Sequence, residues 1–198
     1  MRAETGTVLD RLFRQARTAN RFTAEPVAEE VLRELYDLVR LGPTAGNLCP
    51  ARFVFVRTPE AKERLLRCLD PGNVVRTREA PVTVIIGWDE RFHHMAPVLF
   101  PGRDDLITAH EGDNRSSHRH EVALRNSSLQ GAYLIMAARA LGLDCGPMSG
   151  FDRERLEAEF FPDGRIRVNF LCNLGRADRE ALYPRLPRLS FEDACTLL

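Results

Sequence analysis

Arg17-Thr18-Ala19-Asn20-Arg21 sets two guanidiniums, a hydroxyl and a carboxamide close together. An arginine grips a phosphate with a planar fork of N–H donors, and a hydroxyl and an amide beside it suit sugar hydroxyls. The competing reading is that Arg17 and Arg21 complement the carbonyl-rich end of a helix and stay solvated. A second stretch, Gly42 to Pro50 (GPTAGNLCP), is made of small and turn-forming residues. Its backbone can come close to a flat ligand, or it is an ordinary turn. A third, Gly146-Pro147-Met148-Ser149-Gly150, can aim a backbone N–H at a ring nitrogen, or simply connect two elements. It is not a phosphate loop, because neither GxGxxG nor GxxxxGK is present. In the tail, Arg185 and Arg188 are separated by Leu-Pro, and the prolines keep the piece extended enough for both cations to reach one anion.

Other chemistries find less support. His93 and His94 are adjacent, with His110, His118 and His120 nearby, but there is no HExxH. Adjacent side chains point apart on most backbones, so no metal site is expected. GxSxG is absent and no cysteine has a telling neighbourhood, which argues against a nucleophilic triad. Lys62 is the only lysine, so Schiff-base chemistry would have to rest on it, and it sits in the charged helical stretch PEAKERLLRCL. Lys plus Arg and Asp plus Glu balance at 28 each, so a basic nucleic-acid footprint is not expected. The five cysteines are an odd count without a CxxC pair, which argues against a disulfide framework and against a zinc ribbon and fits a reducing cytoplasm. MRAETGTVLDRLFRQ lacks the apolar run of a signal peptide. No apolar stretch reaches the roughly 18 residues of a membrane span.

The 198 residues suit one domain, 1–198, with an excursion or lid at 89–120 and a C-terminal arm at 178–198. Leu9, Leu12, Phe13 and Ala16 share one face and predict a helix over 7–19, with a Thr7/Asp10 cap. A second helix is expected over 26–41, with Pro26 in its first turn and Gly42 ending it. RFVFVR (52–57) alternates as a strand, and Thr58 caps a helix reaching to about Leu69. VTVIIG (82–87) is a buried strand. The longest helix is expected over 121–141. A short strand follows at Leu143-Asp144-Cys145, then the GPMSG loop, a short helix capped by Asp152, and a strand at 167–174. The tail is extended and then helical, with Ser190 as N-cap. Such alternation suggests a sheet covered by helices on both faces.

In this order the segments resemble a known family. Arg-Thr-x-Asn follows the first helix and GPTxxNxxPxxF the second. A long helix runs into ALGLDCGPMSGFD, and FLCNLG leads to a terminal PRLPRL. Over essentially the whole chain this is similar to the nitroreductase family of FMN-dependent oxidoreductases. The last two pieces look like its malonic semialdehyde reductase branch.

The resemblance implies an α+β homodimer, a three-layer α/β/α sandwich with a mostly antiparallel central sheet and FMN at the dimer interface. NADH or NADPH would be the cosubstrate, with ping-pong hydride transfer through flavin N5 to a small acceptor. The acceptor would be malonic semialdehyde, giving 3-hydroxypropanoate. The alternatives are a nitroaromatic, a quinone or an enone, or flavin binding with little turnover. By the same similarity, Arg17, Thr18 and Asn20 would meet the phosphate and ribityl chain. Pro43, Thr44, Ala45 and Asn47 would reach the partner chain's flavin. Pro147, Met148, Ser149 and Gly150 would lie along the ring, and Arg185 or Arg188 would close on the phosphate. Where relatives carry a cation at the Asn20 position this chain is neutral, and Arg21 or Arg78 is the expected substitute. Flavin would carry the chemistry, so no catalytic side chain is expected.

Overall fold

The computed structural model describes residues 2–198, with side chains from residue 6 onward. Four strands form one antiparallel sheet: β1 (Ala51–Val56), β2 (Val82–Asp89), β3 (Asp144–Met148) and β4 (Ile166–Gly175), in the order β1-β2-β4-β3. The apolar run in β2 explains its central place, for all eight of its residues are buried. Val84 and Ile86 face one layer and Ile85 the other, as the two-residue period of a strand requires.

The first layer holds α2 (Glu29–Val39) and the long α7 (Ser116–Ala140), through Leu32, Leu35, Val39, Leu134, Ala137 and Ala138. The second holds α3 (Pro59–Leu66) and α8 (Arg153–Phe160), through Leu65 and Leu156. The expected three-layer sandwich is thus present. Thr58 Oγ1 accepts from Ala61 N at 3.2 Å, Asp152 Oδ1 from Arg155 N at 3.0 Å and Ser190 Oγ from Asp193 N at 3.2 Å, so these three of the four predicted caps hold.

Several boundaries differ from expectation. The first helix is α1 (Arg2–Leu9), continued by a π-helical turn over Asp10–Arg14. It ends five residues earlier than its apolar period suggests, because Thr18 bridges to Cys145 and Ala19 N donates to Cys145 O at 2.9 Å, which pulls 15–20 straight. Thr7 therefore lies inside the helix rather than capping it. Next, α2 starts at Glu29, not Pro26: Val27, just before the Ala28 cap, is buried in the same cluster as Leu32, a hydrophobic staple that sets the entry point. Between Pro71 and Glu79 lies α4, where the sequence suggested no element.

The 89–120 stretch is largely helical rather than irregular. A 3-10 turn (Phe92–Met95), α5 (Ala96–Leu99) and α6 (Asp105–His110) lead into α7, which begins at Ser116. Phe92 and Ala96 anchor them, buried with Leu48, Trp88, Val122 and Ala123. Finally, Pro147 and Met148 belong to β3 rather than to a loop. The strand tolerates the proline because it is at the sheet's edge; Pro147 lies two residues from Cys145, whose carbonyl faces outward to Ala19, so the missing N–H falls on the unpaired side. After a 3-10 turn at Arg179–Ala181 the arm runs extended to Ser190 and ends in α9 (Phe191–Ala194).

Candidate functional site

Two of the predicted segments meet at the β3 edge. The straightened 17–20 strip lies along β3, and the contact has no room for a side chain: a Cβ on Gly146 would sit 2.6 Å from the Ala19 carbonyl oxygen. Gly146→Ala is therefore expected to cost about 1–3 kcal/mol through overpacking. Urea unfolding reads this out against Gly72→Ala, where nothing lies within 4 Å of the added carbon.

The arm closes over this strip. A cavity of about 240 Å³ is lined by Arg17, Thr18, Asn20, Arg139, Arg185 and Arg188, together with Ala16, Tyr183, Pro184 and Leu186. Four guanidiniums thus border one space whose lining contains no carboxylate. The crowding is felt at Arg185, whose pKa is lowered, first by desolvation and then by the positive charges of Arg17, Arg188 and Arg139. Arg185 Nη2 donates to the carbonyls of Phe13 (2.5 Å), Arg14 (3.1 Å) and Ala16 (2.9 Å), which ties the arm to the end of the first helical segment. Arg17 Nη1 donates to Arg14 O and Ala16 O, both at 2.9 Å. The helix-end reading of Arg17 is therefore correct as far as it goes, and the same side chain also faces the cavity. Arg188 donates within its own arm, to Leu186 O at 2.9 Å and Pro187 O at 3.0 Å.

Arg139 is the member that the sequence reading missed. It sits in the last turn of α7, donates from Nη1 to Leu12 O at 2.9 Å, and keeps a buried Nε without any partner. Nothing in its sequence neighbourhood separates it from an ordinary helix-end cation. A buried donor left unpaired is costly unless an acceptor arrives.

A second cavity, of about 590 Å³, continues from the first: Asn20 and Tyr183 line both, and it adds Arg21, Gly72, Val75, Arg76, Asp178, Glu180, Ala181 and Leu182. Asn20 Oδ1 accepts from Arg76 Nη1 at 3.2 Å. Of the expected substitutes, Arg21 lines this second cavity while paired with Glu79 at 2.9 Å, and Arg78 pairs with Glu63. The cation beside Asn20 is therefore Arg76, from the unforeseen α4.

The end of β3 reaches the same region. Gly150 O accepts from Asn73 Nδ2 at 2.7 Å and from Asp70 N at 3.1 Å, which fixes the strand's exit against α4. Ser149 is exposed, while Met148 turns its side chain into the core, where Thr77 Oγ1 donates to its sulfur at 3.6 Å. Only the backbone of Met148 is left for a ligand.

Pro43, Thr44, Ala45 and Asn47 are elsewhere. Their loop enters β1, at the opposite edge of the sheet from β3. Ala45 N donates to Asn126 Oδ1 at 2.8 Å and Asn47 Nδ2 to Leu99 O at 2.7 Å. Asn47 and Cys49 are held at positive φ, 55° and 41°, conformations that persist only where neighbours impose them.

Lys62 is buried and donates from Nζ to the carbonyls of Thr77 (3.1 Å) and Ala80 at the end of α4; burial lowers its pKa to about 8. It anchors a helix end and faces no cavity described above. His93 and His94 do not point apart. The 3-10 turn brings their ring centroids to 4.5 Å, and both Nε2 atoms reach Glu111 Oε2, at 3.1 and 3.0 Å. No described helix is long and apolar enough to cross a membrane, and all five cysteines are free.

Known proteins share the sequence family and the fold. A protein of Rhodopseudomonas palustris (strain TIE-1) with the name "Putative NADH dehydrogenase/NAD(P)H nitroreductase" is 55% identical over 199 residues, spanning 96% of this chain and 95% of its own. Among solved structures, ydfN of Bacillus subtilis, described as a nitroreductase, superposes with a TM-score of 0.88 at 22% identity, covering 100% of both chains. A nitroreductase of Exiguobacterium sibiricum 255-15, solved in complex with FMN, reaches 0.84 at 20% identity, covering 96% of this chain and 97% of its own. The profile of the Nitroreductase family matches residues 13–176, and the chain belongs to that family.

Proposed function

We propose that this protein is an FMN-dependent oxidoreductase that draws on NADH or NADPH, works as a homodimer, and reduces a small organic acceptor. One observation carries the reading: four arginines converge on an acid-free cavity, one with a buried unpaired Nε, beside a trough that continues past Asn20. A ligand with a dianionic end and an elongated polar body matches that shape and charge, and FMN is such a molecule. The bound flavin supplies, at N5, the atom that accepts and passes on hydride.

The chain's own residues bind and orient. Arg17, Arg139, Arg185 and Arg188 hold the phosphate, Thr18 and Asn20 the ribityl chain, and the backbone from Pro147 through Gly150 lines the ring. Arg76 brings positive charge to the Asn20 end of the trough, where charge gained on reduction would be stabilised.

Two observations support the dimer. The 43–47 loop and the arginine cavity sit at opposite edges of a four-stranded sheet. Three strand spacings, about 14 Å, separate those edges, with packed core on both faces. A second copy can supply its 43–47 loop where one chain cannot. Exposed apolar groups agree: Phe13, Leu41, Leu186, Leu189 and Phe191 are all more than half exposed in the single chain, at 52, 74, 74, 74 and 55%.

For the acceptor, a small aldehyde acid such as malonic semialdehyde, reduced to 3-hydroxypropanoate, is the first choice, because ALGLDCGPMSGFD and PRLPRL resemble that branch. Nitroaromatics, quinones and enones are the alternatives, and a flavin carrier with little turnover is the third. The test is an absorption spectrum of the purified protein, anaerobic bleaching by NADH and NADPH, and reoxidation by each acceptor in turn. A yellow protein that bleaches and is reoxidised fastest by malonic semialdehyde is expected. A colourless protein that takes up no FMN would end the reading. Bleaching followed by faster reoxidation with another acceptor would replace the substrate, and no bleaching would leave the carrier.

A further inference from the structure

The excursion between β2 and α7 carries a cluster that the flavin reading does not use. His93 and His94 occupy the 3-10 turn after β2, and Glu111 follows α6 directly. Their three ligand atoms, two imidazole Nε2 and a carboxylate oxygen, lie within 4.8 Å of one another. Hydrogen bonding alone explains this incompletely. A single carboxylate oxygen serves two imidazoles, and His93, only 2% exposed, keeps a buried Nδ1 with no partner.

We infer that His93, His94 and Glu111 form a binding site for a divalent transition ion of the Zn²⁺ class, which clips the excursion shut. The distances suit it. Ligand atoms about 2.0–2.1 Å from a tetrahedral zinc stand about 3.3 Å apart. The observed imidazole-to-carboxylate separations of 3.1 and 3.0 Å need only a slight opening. Two histidines and one carboxylate suit Zn²⁺ rather than Mg²⁺ or Ca²⁺, which take oxygen cages. His94 and Glu111 have half-exposed side chains, 48 and 58%, so an ion can enter from solvent and keep one position for water. His110 stacks on His93 with centroids 6.0 Å apart, its Nδ1 bonded to Leu106 O at 2.8 Å; it supports the site as a wall.

The consequence reaches the 43–47 loop. An ion joining His94 to Glu111 closes the segment that contains Leu99 and Leu106. Leu99 O holds Asn47, and the Leu106 side chain lies 3.2 Å from where a Cβ on Gly46 would be. The ion would stiffen the wall behind that loop.

The test uses the purified, flavin-loaded protein, stripped with a chelator and dialysed against Zn²⁺, with bound metal counted per chain. The variants are His94→Ala and Glu111→Gln, whose side chains are exposed enough to spare the fold. One equivalent per chain is expected for the native protein. Affinity should fall at least about tenfold in each variant, and Zn²⁺ should slow proteolytic cleavage within 96–110 in the native protein alone. No stoichiometric uptake would overturn the site. So would uptake that both variants retain, which would place the ion elsewhere, for instance at His110 and His118.

Discussion

Replacing Arg17 by alanine is expected to weaken FMN binding by about 10- to 100-fold. A hydrogen bond to a charged group is worth about 1.5–3 kcal/mol, and each 1.4 kcal/mol is about tenfold in Kd. Quenching of flavin fluorescence on titration into the apoprotein reads the affinity, and thermal unfolding of the same apoprotein reads the fold. The pair of readouts matters because Arg17 already donates to Arg14 O and Ala16 O. If those bonds were its whole role, the melting temperature would fall while Kd stayed constant. Arg17→Lys keeps the charge and loses the planar fork, so it should fall between.

The two tail arginines separate in the same experiment. Arg185 spreads one nitrogen over three carbonyls of the first helical segment, so its loss should release the arm and lower both affinity and stability. Arg188 bonds only within the arm, to the carbonyls of Leu186 and Pro187. Its loss should lower affinity with little change in melting. An Arg188→Ala protein that binds FMN normally would leave Arg185 as the phosphate contact from the tail.

What the sequence made legible follows from the range of the forces involved. Period and capping are local, so β2, the Thr58, Asp152 and Ser190 caps, and the sheet covered on both faces could be read directly. The arginine cavity was half legible: Arg17, Thr18, Asn20, Arg185 and Arg188 stood out by residue type and loop context, yet their meeting depends on Ala19 pairing with Cys145, a contact between distant segments. The same contact straightened 15–20 against the apolar period of the first helix. Arg139 and Arg76 were invisible because each is one arginine on a helix in an arginine-rich chain; only the packing of α7 and α4 aims them at the site. The helices of the excursion were not legible, for a different reason. They are four to six residues long, too short to show a period. They owe their order to Phe92 and Ala96 packing beside Trp88 and Leu48, far away in sequence.

Asp89 is the other residue that only the structure reveals, and its loss should be the most damaging single change to stability. It ends β2 with a side chain that is 1% exposed. Oδ1 accepts from Arg91 N and Arg165 Nε, both at 2.8 Å, and Oδ2 from Arg52 Nη2 and Arg165 Nη2, both at 2.7 Å. One carboxylate thus pins β1, the turn after β2, and the residue before β4. Asp89→Asn sets an amide N–H₂ against guanidinium donors. Breaking a buried pair costs about 3–5 kcal/mol, but Arg52 and Arg165 are 33 and 46% exposed and can rehydrate. A loss of about 2–3 kcal/mol is therefore expected, or roughly 4–12 °C in Tm for a chain of this size. The pH dependence fixes the cause. Burial raises the carboxyl's pKa, but the bonds from Arg165 and the Arg91 N–H, with the Arg52 charge, outweigh it and hold the pKa below the usual carboxylate range. The folded pKa is depressed, so this stability is present above the unfolded value of about 3.9 and disappears as pH falls through the folded value. Urea unfolding of the native protein and Asp89→Asn should differ fully at pH 7 and at pH 5, and converge below about pH 4. A gap that stayed constant down to pH 3 would mean that lost packing, not the ionised carboxylate, accounts for the difference.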